Sequence, residues 1–172
     1  MNNNVVSAVC ESYEENGYGT LRFNFRGVGR SEGGFENGDG EQEDVQAALD
    51  YLIDLGYHKI DVAGYSFGAW INALAIKRLE NASRFIFVSP PVSMMDFSFL
   101  GFDQRIRLVI SADNDDYADI RVIEQMLPSW NPSATFKIVR GSDHFYFGKE
   151  NELKSMISEF IARYDSIEDC SK

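Results

Sequence analysis

The chain has 172 residues, 44% apolar and 25% charged, enough apolar material for one domain-sized core and a balance that argues against general disorder. Its net charge of −11, with an isoelectric point near 4.6, repels phosphate backbones and anionic lipid, so neither nucleic acid nor a membrane surface is an expected partner. The opening "MNNNVVSAVCESYEENG" lacks the basic start and apolar run of a signal peptide, and no stretch approaches the ~20 apolar residues of a membrane span. The two cysteines, Cys10 read as a small core residue among apolar neighbours and Cys170 in a polar tail, are too isolated to suggest a disulfide and fit a reducing cytoplasm.

Residues 4–16 place Val5, Val6, Val9, Cys10 and Tyr13 at helical spacing, with Gly17 as the stop. "GTLRFNF" (19–25) reads as a strand and "RGVGRSEGGFENGDG" (26–40) as a glycine-dense loop. A helix is expected from about Glu41, where Glu41, Glu43 and Asp44 suit the positive end of the dipole and Val45, Ala48, Leu49 and Leu52 form a stripe. A strand at 59–65 leads into an apolar helix from Phe67 to about Leu79. Strands follow at 84–89 and 105–111, then a helix near 119–127 halted by Pro128, then a strand at 135–140. Leu153, Met156, Ile157, Phe160, Ile161 and Tyr164 mark a C-terminal helix, with 166–172 as a polar tail. No repeat or Pro/Ser-rich linker divides the chain, so residues 1–172 are taken as a single domain. Strands alternating with helices predict an α/β fold, a parallel sheet covered on both faces, whose ligand sites gather beyond the carboxyl ends of the strands.

That rule selects the chemistry. Gly64-Tyr65-Ser66-Phe67-Gly68 stands where a strand becomes a helix, the context in which Gly-x-Ser-x-Gly lifts a serine hydroxyl above the sheet edge. The Phe67 amide, at the new helix N-terminus, points toward an oxygen held near Ser66. A glycine-rich turn with a capping serine is the bland alternative. A serine nucleophile needs a base, and the chain has two histidines. His58 precedes the strand 59–65 and sits at the wrong edge, whereas His144 follows the strand 135–140 at the same edge as Ser66. The acid that orients the histidine is sought in "SADNDDYAD", which offers Asp113, Asp115, Asp116 and Asp119; Asp143 is too close to His144 in sequence. Gly27, Gly29 and Gly33 are spaced one residue too long for a dinucleotide fingerprint. No metal or organic cofactor is implied.

"LRFNFRGVGRSEG", "GDGEQEDVQAALDYL", "GYSFGA", "SPPV…DFSFL", "LVISADNDD" and "SDHFYFGKENEL", in this order over nearly the whole chain, resemble the α/β-hydrolases. The resemblance is closest to the small lidless hydrolases related to dienelactone hydrolases and short-chain esterases. It implies a three-layer sandwich, mostly parallel, with a Ser66, Asp115, His144 triad. Asp115 is favoured over Asp113 because it ends the segment matching the family's Gly-x-x-Asp, with Ala112 in place of the glycine. Arg26 and Ser31, in "FRGVGRS", take the structural role of the family's Arg-Gly-x-Gly-x-Ser turn. Only a short loop joins the strands 84–89 and 105–111, so the pocket should be open, with Pro90, Pro91, Phe97, Phe99, Phe145 and Tyr146 as wall candidates. Such a pocket suits small esters or thioesters.

The resemblance also implies an N-terminally shortened chain. The family carries upstream strands, one of them between the segments 19–25 and 59–65, and a loop that donates a second oxyanion amide. Loss of one such donor costs about 3 kcal/mol of transition-state stabilisation. Loss of a central strand is heavier, since each buried side chain contributes roughly 1.5–3 kcal/mol and a domain has only about 5–15 to spare. Three arrangements satisfy the sheet: direct pairing of the two segments, another chain covering it as in a homo-oligomer, or a fragment. Two functions stand open, a serine hydrolase or a non-catalytic binding or scaffold protein with an incomplete oxyanion hole.

Overall fold

In the computed structural model, which describes residues 3–169, four parallel strands lie side by side in chain order: β1 (Asp61–Tyr65), β2 (Arg84–Val88), β3 (Ile106–Ala112) and β4 (Thr135–Val139). Pairing runs from Asp61↔Arg84 to Tyr65↔Val88 and from Leu108↔Thr135 to Ala112↔Val139, with a register shift between Phe85 and Ile86. Helices α1 (Asn4–Glu15) and α5 (Glu150–Asp169) cover one face; α2 (Asp39–Asp54), α3 (Phe67–Ala75) and α4 (Ile120–Trp130) cover the other. This is the expected three-layer α/β sandwich. Side chains alternate across a strand: Phe85 and Phe87 of β2 join the α2–α4 core, while Ile86 and Val88 join the α1–α5 core. All four are fully buried.

The helix ends follow from local chemistry. Asn3 caps α1 by accepting the Val6 amide. Helix α2 starts at Asp39, two residues before the expected point, because the buried Glu41 carboxylate takes the amides of Gly38 and Glu36. Helix α3 stops at Ala75 rather than Leu79; Arg105 Nη1 and Nη2 donate to the Leu79 and Ile76 carbonyls, 2.6 and 2.8 Å away, and tie down that end. Pro128 does not halt α4. It lies in the exposed last turn, where the missing amide costs one bond, and the fully buried Trp130 anchors the turn against Phe87 and Phe97. Arg26 bonds Asp44, Glu36 and Glu43, and Ser31 Oγ donates to the Asn24 carbonyl, so both act structurally as expected. Cys10 is half-buried rather than a core residue; Cys170 lies outside the described residues, and α5 extends to Asp169, into the stretch expected to be tail.

The strand expected at 19–25 is the main correction. The segment is extended but belongs to no ladder, and Leu21 and Phe23 stay 42% and 40% exposed. Its pattern suits a pleated surface, yet a strand exists only through a neighbour's hydrogen bonds. Ser66 N–H donates to the Val88 carbonyl and Ser83 N–H to the Ile60 carbonyl, so even-numbered residues of β1 turn their backbone toward β2. By alternation, the amides and carbonyls of Asp61, Ala63 and Tyr65 face away from β2. Between that edge and the segment 19–25 runs a cavity of about 400 Å³, lined among others by Leu21, Phe23, Phe25, Val62, Gly64 and Ser66. Direct pairing of the two segments is therefore not what the chain adopts.

Candidate active site

Ser66 occupies the sharp corner between β1 and α3, with φ +52° and ψ −119°. A non-glycine residue held there carries strain, of the kind found where a side chain is aimed for function. Gly64 permits the corner: a Cβ on it would meet the Gly68 carbonyl carbon and oxygen at 2.5 Å. Gly68 itself has nothing within 4 Å of an added Cβ, so close packing requires only the first glycine of the motif. The Ser66 carbonyl accepts the Ala69 and Trp70 amides, leaving those of Phe67 and Gly68, in the first turn of α3, without an intrahelical acceptor.

The loop after β4 brings His144 Nε2 to 2.8 Å from Ser66 Oγ. Its Nδ1 lies 2.9 Å from both Oδ1 and Oδ2 of Asp115, from the loop after β3. Three residues remote in sequence thus converge at the carboxyl edge of the sheet. Asp115 Oδ1 also accepts the Tyr117 and Ala118 amides, at 3.0 and 2.9 Å. Burial pushes the Asp115 carboxyl up, but hydrogen bonds from His144, Ser89 and the Ala118 amide outweigh it and hold the carboxyl below the usual range. An ionised Asp115 accepts only, so His144 Nδ1 carries the proton and Nε2 faces the Ser66 hydroxyl as an acceptor.

The other carboxylates separate cleanly. Asp113 Oδ1 accepts the Gly141 and Ser142 amides and braces the histidine loop against the β3 end. Asp119 caps α4 through the Arg121 amide, Asp143 accepts the Phe145 amide, and Asp116 is exposed. His58 is exposed at the far edge. Of the wall candidates, only Phe99 and Phe145 are exposed; Pro90, Pro91, Phe97 and Tyr146 are buried and serve packing. The rim includes residues not foreseen: Tyr117, 4.8 Å from the His144 ring between centroids, and Phe147, stacked on Phe145 and 74% exposed. Tyr65 was also missed. Its hydroxyl donates to the His144 carbonyl at 2.9 Å, and burial, then the charges of Asp115 and Asp143, push it up to about 12, so it stays a neutral donor. Its place inside the serine motif, on a strand residue turned toward α1 and α5, was the available signal.

No helix among the described residues is long and apolar enough to cross a membrane. No family model matches the chain. An uncharacterized protein of Rickettsia prowazekii is 34% identical over 176 residues, 96% of this chain and 74% of that protein. The solved structure of an α/β serine hydrolase homologue from Coxiella burnetii is 32% identical, with a TM-score of 0.86 over 92% of this chain and 76% of the other. A Xanthomonas campestris protein described as an α/β serine hydrolase without a lid is 31% identical, with a TM-score of 0.86 over 95% of this chain and 75% of the other. The chain likewise has no helix inserted between β2 and β3 to form a lid. Together with the Ser66–His144–Asp115 arrangement, these likenesses establish that the chain belongs to the lidless α/β serine hydrolases.

Proposed function

We propose that this chain cleaves small carboxylic esters or thioesters through an acyl-enzyme on Ser66, in the manner of short-chain esterases and dienelactone hydrolases. The observation that carries the proposal is the continuous line from Ser66 Oγ through the His144 ring to the Asp115 carboxylate, 2.8 Å and 2.9 Å per link. Ser66 Oγ attacks the carbonyl carbon while its proton passes to His144 Nε2. Asp115 holds the ring and stabilises the imidazolium, and the Phe67 amide stabilises the oxyanion. Collapse expels the alcohol or thiol, which takes the proton from Nε2. Water then attacks the acyl group with His144 as base and releases the acid. The lidless mouth, with Tyr117, Phe145 and Phe147 on its rim, favours small substrates with an apolar or planar group.

A fluorophosphonate probe followed by mass spectrometry tests this. Labelling at Ser66, abolished in Ser66→Ala and His144→Ala, supports the proposal; a folded protein that stays unlabelled overturns it. The second reading, a non-catalytic binding protein, is favoured by the cavity that reaches Ser66, Phe67 and Gly68, which leaves the oxyanion side open. Turnover of p-nitrophenyl acetate separates the two, since a binding protein releases no nitrophenolate above background.

A further inference from the structure

The cavity of about 400 Å³ beside β1 is ligand-sized, and Ser66, Phe67 and Gly68 line it, so it starts at the nucleophile. Two walls lead away from Ser66. One is the open edge of β1; the other is α3, which turns back at Ser66 and packs on β1. On α3 the cavity meets Gly68 and Asn72, four residues apart and so on one side of the helix. A Cβ on Gly68 would meet nothing within 4 Å, which leaves the way past it clear.

Asn72 is the residue that packing does not explain. It is 3% exposed, yet its side-chain amide has no hydrogen-bond partner among the described residues and opens onto the cavity. A leucine would fill that place without burying a donor and an acceptor. The backbone N–H and C=O groups of Ala63 and Tyr65, turned away from β2, also have no partner among the described residues. Leu21, Phe25, Val45 and Val62 supply apolar wall, and Arg22, itself exposed, is the one charged residue of the lining.

These features select the occupant. An alkyl chain would suit the apolar wall but leave Asn72 and the β1 edge buried without partners. A charged group would lose its hydration with no counter-charge in the interior. An extended, uncharged peptide offers donors and acceptors at every second residue along β1, and has groups to spare for Asn72. Laid parallel to β1, it brings its carboxyl end to Ser66. Asn72 lies about 9 Å beyond Ser66 along the helix axis, and its amide less, because helical side chains lean toward the N-terminus. That is the reach of two extended residues at about 3.3 Å each.

We propose, resting on the hydrolase reading, that the acyl part of the substrate is an N-acylated dipeptide, esterified at its carboxyl end, with Asn72 as a specificity-determining residue. Ser66 Oγ bonds to the terminal carbonyl carbon, the ester C–O bond breaks, and the alcohol leaves with the proton from His144. Water then releases the dipeptide acid.

The test compares N-acetyl-alanyl-alanine p-nitrophenyl ester with p-nitrophenyl octanoate, an alkyl acyl group of the same chain length, after correction for spontaneous hydrolysis. The peptide ester should lead by about tenfold in kcat/KM, and Asn72→Leu should narrow that lead about fivefold, the scale of one neutral hydrogen bond. A second arm needs no turnover: N-acetyl-alanyl-alanine methyl ester, titrated into the Ser66→Ala protein, should shift the NMR signals of the Ala63 and Tyr65 amides and of the Asn72 side-chain NH₂. An equal or greater rate on the octanoate, or a peptide preference without those shifts, overturns the proposal. If Asn72→Leu fails to fold, the two esters and the titration on the other proteins decide. Shifts at the three residues with no turnover of any ester refute the hydrolase reading and leave the peptide slot standing; turnover of p-nitrophenyl acetate with no shifts does the reverse.

Discussion

Replacing Asp115 with asparagine probes the triad with little change of shape. Asp115 Oδ1 accepts the amides of Tyr117 and Ala118, and both carboxylate oxygens stand 2.9 Å from His144 Nδ1. Asparagine has one oxygen and one NH₂ group to share between these partners. Turning NH₂ toward the two amides would leave both donors without an acceptor, at about 1–3 kcal/mol for the buried Ala118 amide and less for the half-buried Tyr117 one. Turning it toward His144 costs only a change of tautomer, so that orientation wins. His144 Nδ1 then accepts, Nε2 carries the proton, and the ring donates to Ser66 Oγ where it should accept. The expected result is a fall of about 10⁴ in kcat for p-nitrophenyl acetate with the fold intact by circular dichroism. Retention of a tenth or more of the activity would refute the argument, because the base would then not depend on the carboxylate for its tautomer.

Gly64→Ala should destabilise the protein by about 1–3 kcal/mol in urea unfolding, since its Cβ meets Gly68 backbone at 2.5 Å, whereas Gly68→Ala should be neutral or stabilising by up to about 1 kcal/mol. Equal effects at the two glycines would contradict the packing described for the corner. Phe87→Ala should cost about 3–5 kcal/mol, since the ring is fully buried against Trp130. Acid should erase the contribution of Asp115. Its folded carboxyl is a stronger acid than the unfolded one, near 3.8, so its stabilisation is present above that value and disappears as pH falls through the lower folded value. The stability gap between the unaltered chain and Asp115→Asn, read from urea curves, should therefore narrow below about pH 4; a constant gap would show that the carboxyl is not held low.

The sheet, its two helical layers and the serine corner were legible because each is encoded over a few consecutive residues. Gly64-Tyr65-Ser66 needs only the change from strand to helix to be read, and His144 needs only to follow a strand. The choice of Asp115 among four neighbouring aspartates was different. Spacing alone left it open, and the resemblance to known hydrolases supplied it; what fixes it physically is that Oδ1 is claimed by Tyr117 and Ala118, which turns the carboxylate toward the histidine. A contact between the Ser89 and Tyr146 hydroxyls joins two loops separated by the whole β3–α4–β4 unit, and no local pattern announces it. Its one trace was a serine closing a run of apolar strand residues.

Segment 19–25 shows where such reading must fail. Its composition states a preference for an extended, half-buried backbone, and the backbone is indeed extended. Whether it becomes a strand depends on a second set of amides and carbonyls at the right distance, which no property of its own sequence reports. Here the open edge of β1 presents Asp61, Ala63 and Tyr65, yet a cavity of about 400 Å³ lies between the two. Half-exposed Leu21 and Phe23 are the visible consequence, and the same opening reaches Ser66 and Gly68. Fold and chemistry therefore meet at this edge: nucleophile, base and acid are held by the segments that follow β1, β4 and β3, and the hydrogen-bonded line from Ser66 through His144 to Asp115 is closed although the sheet is open beside β1.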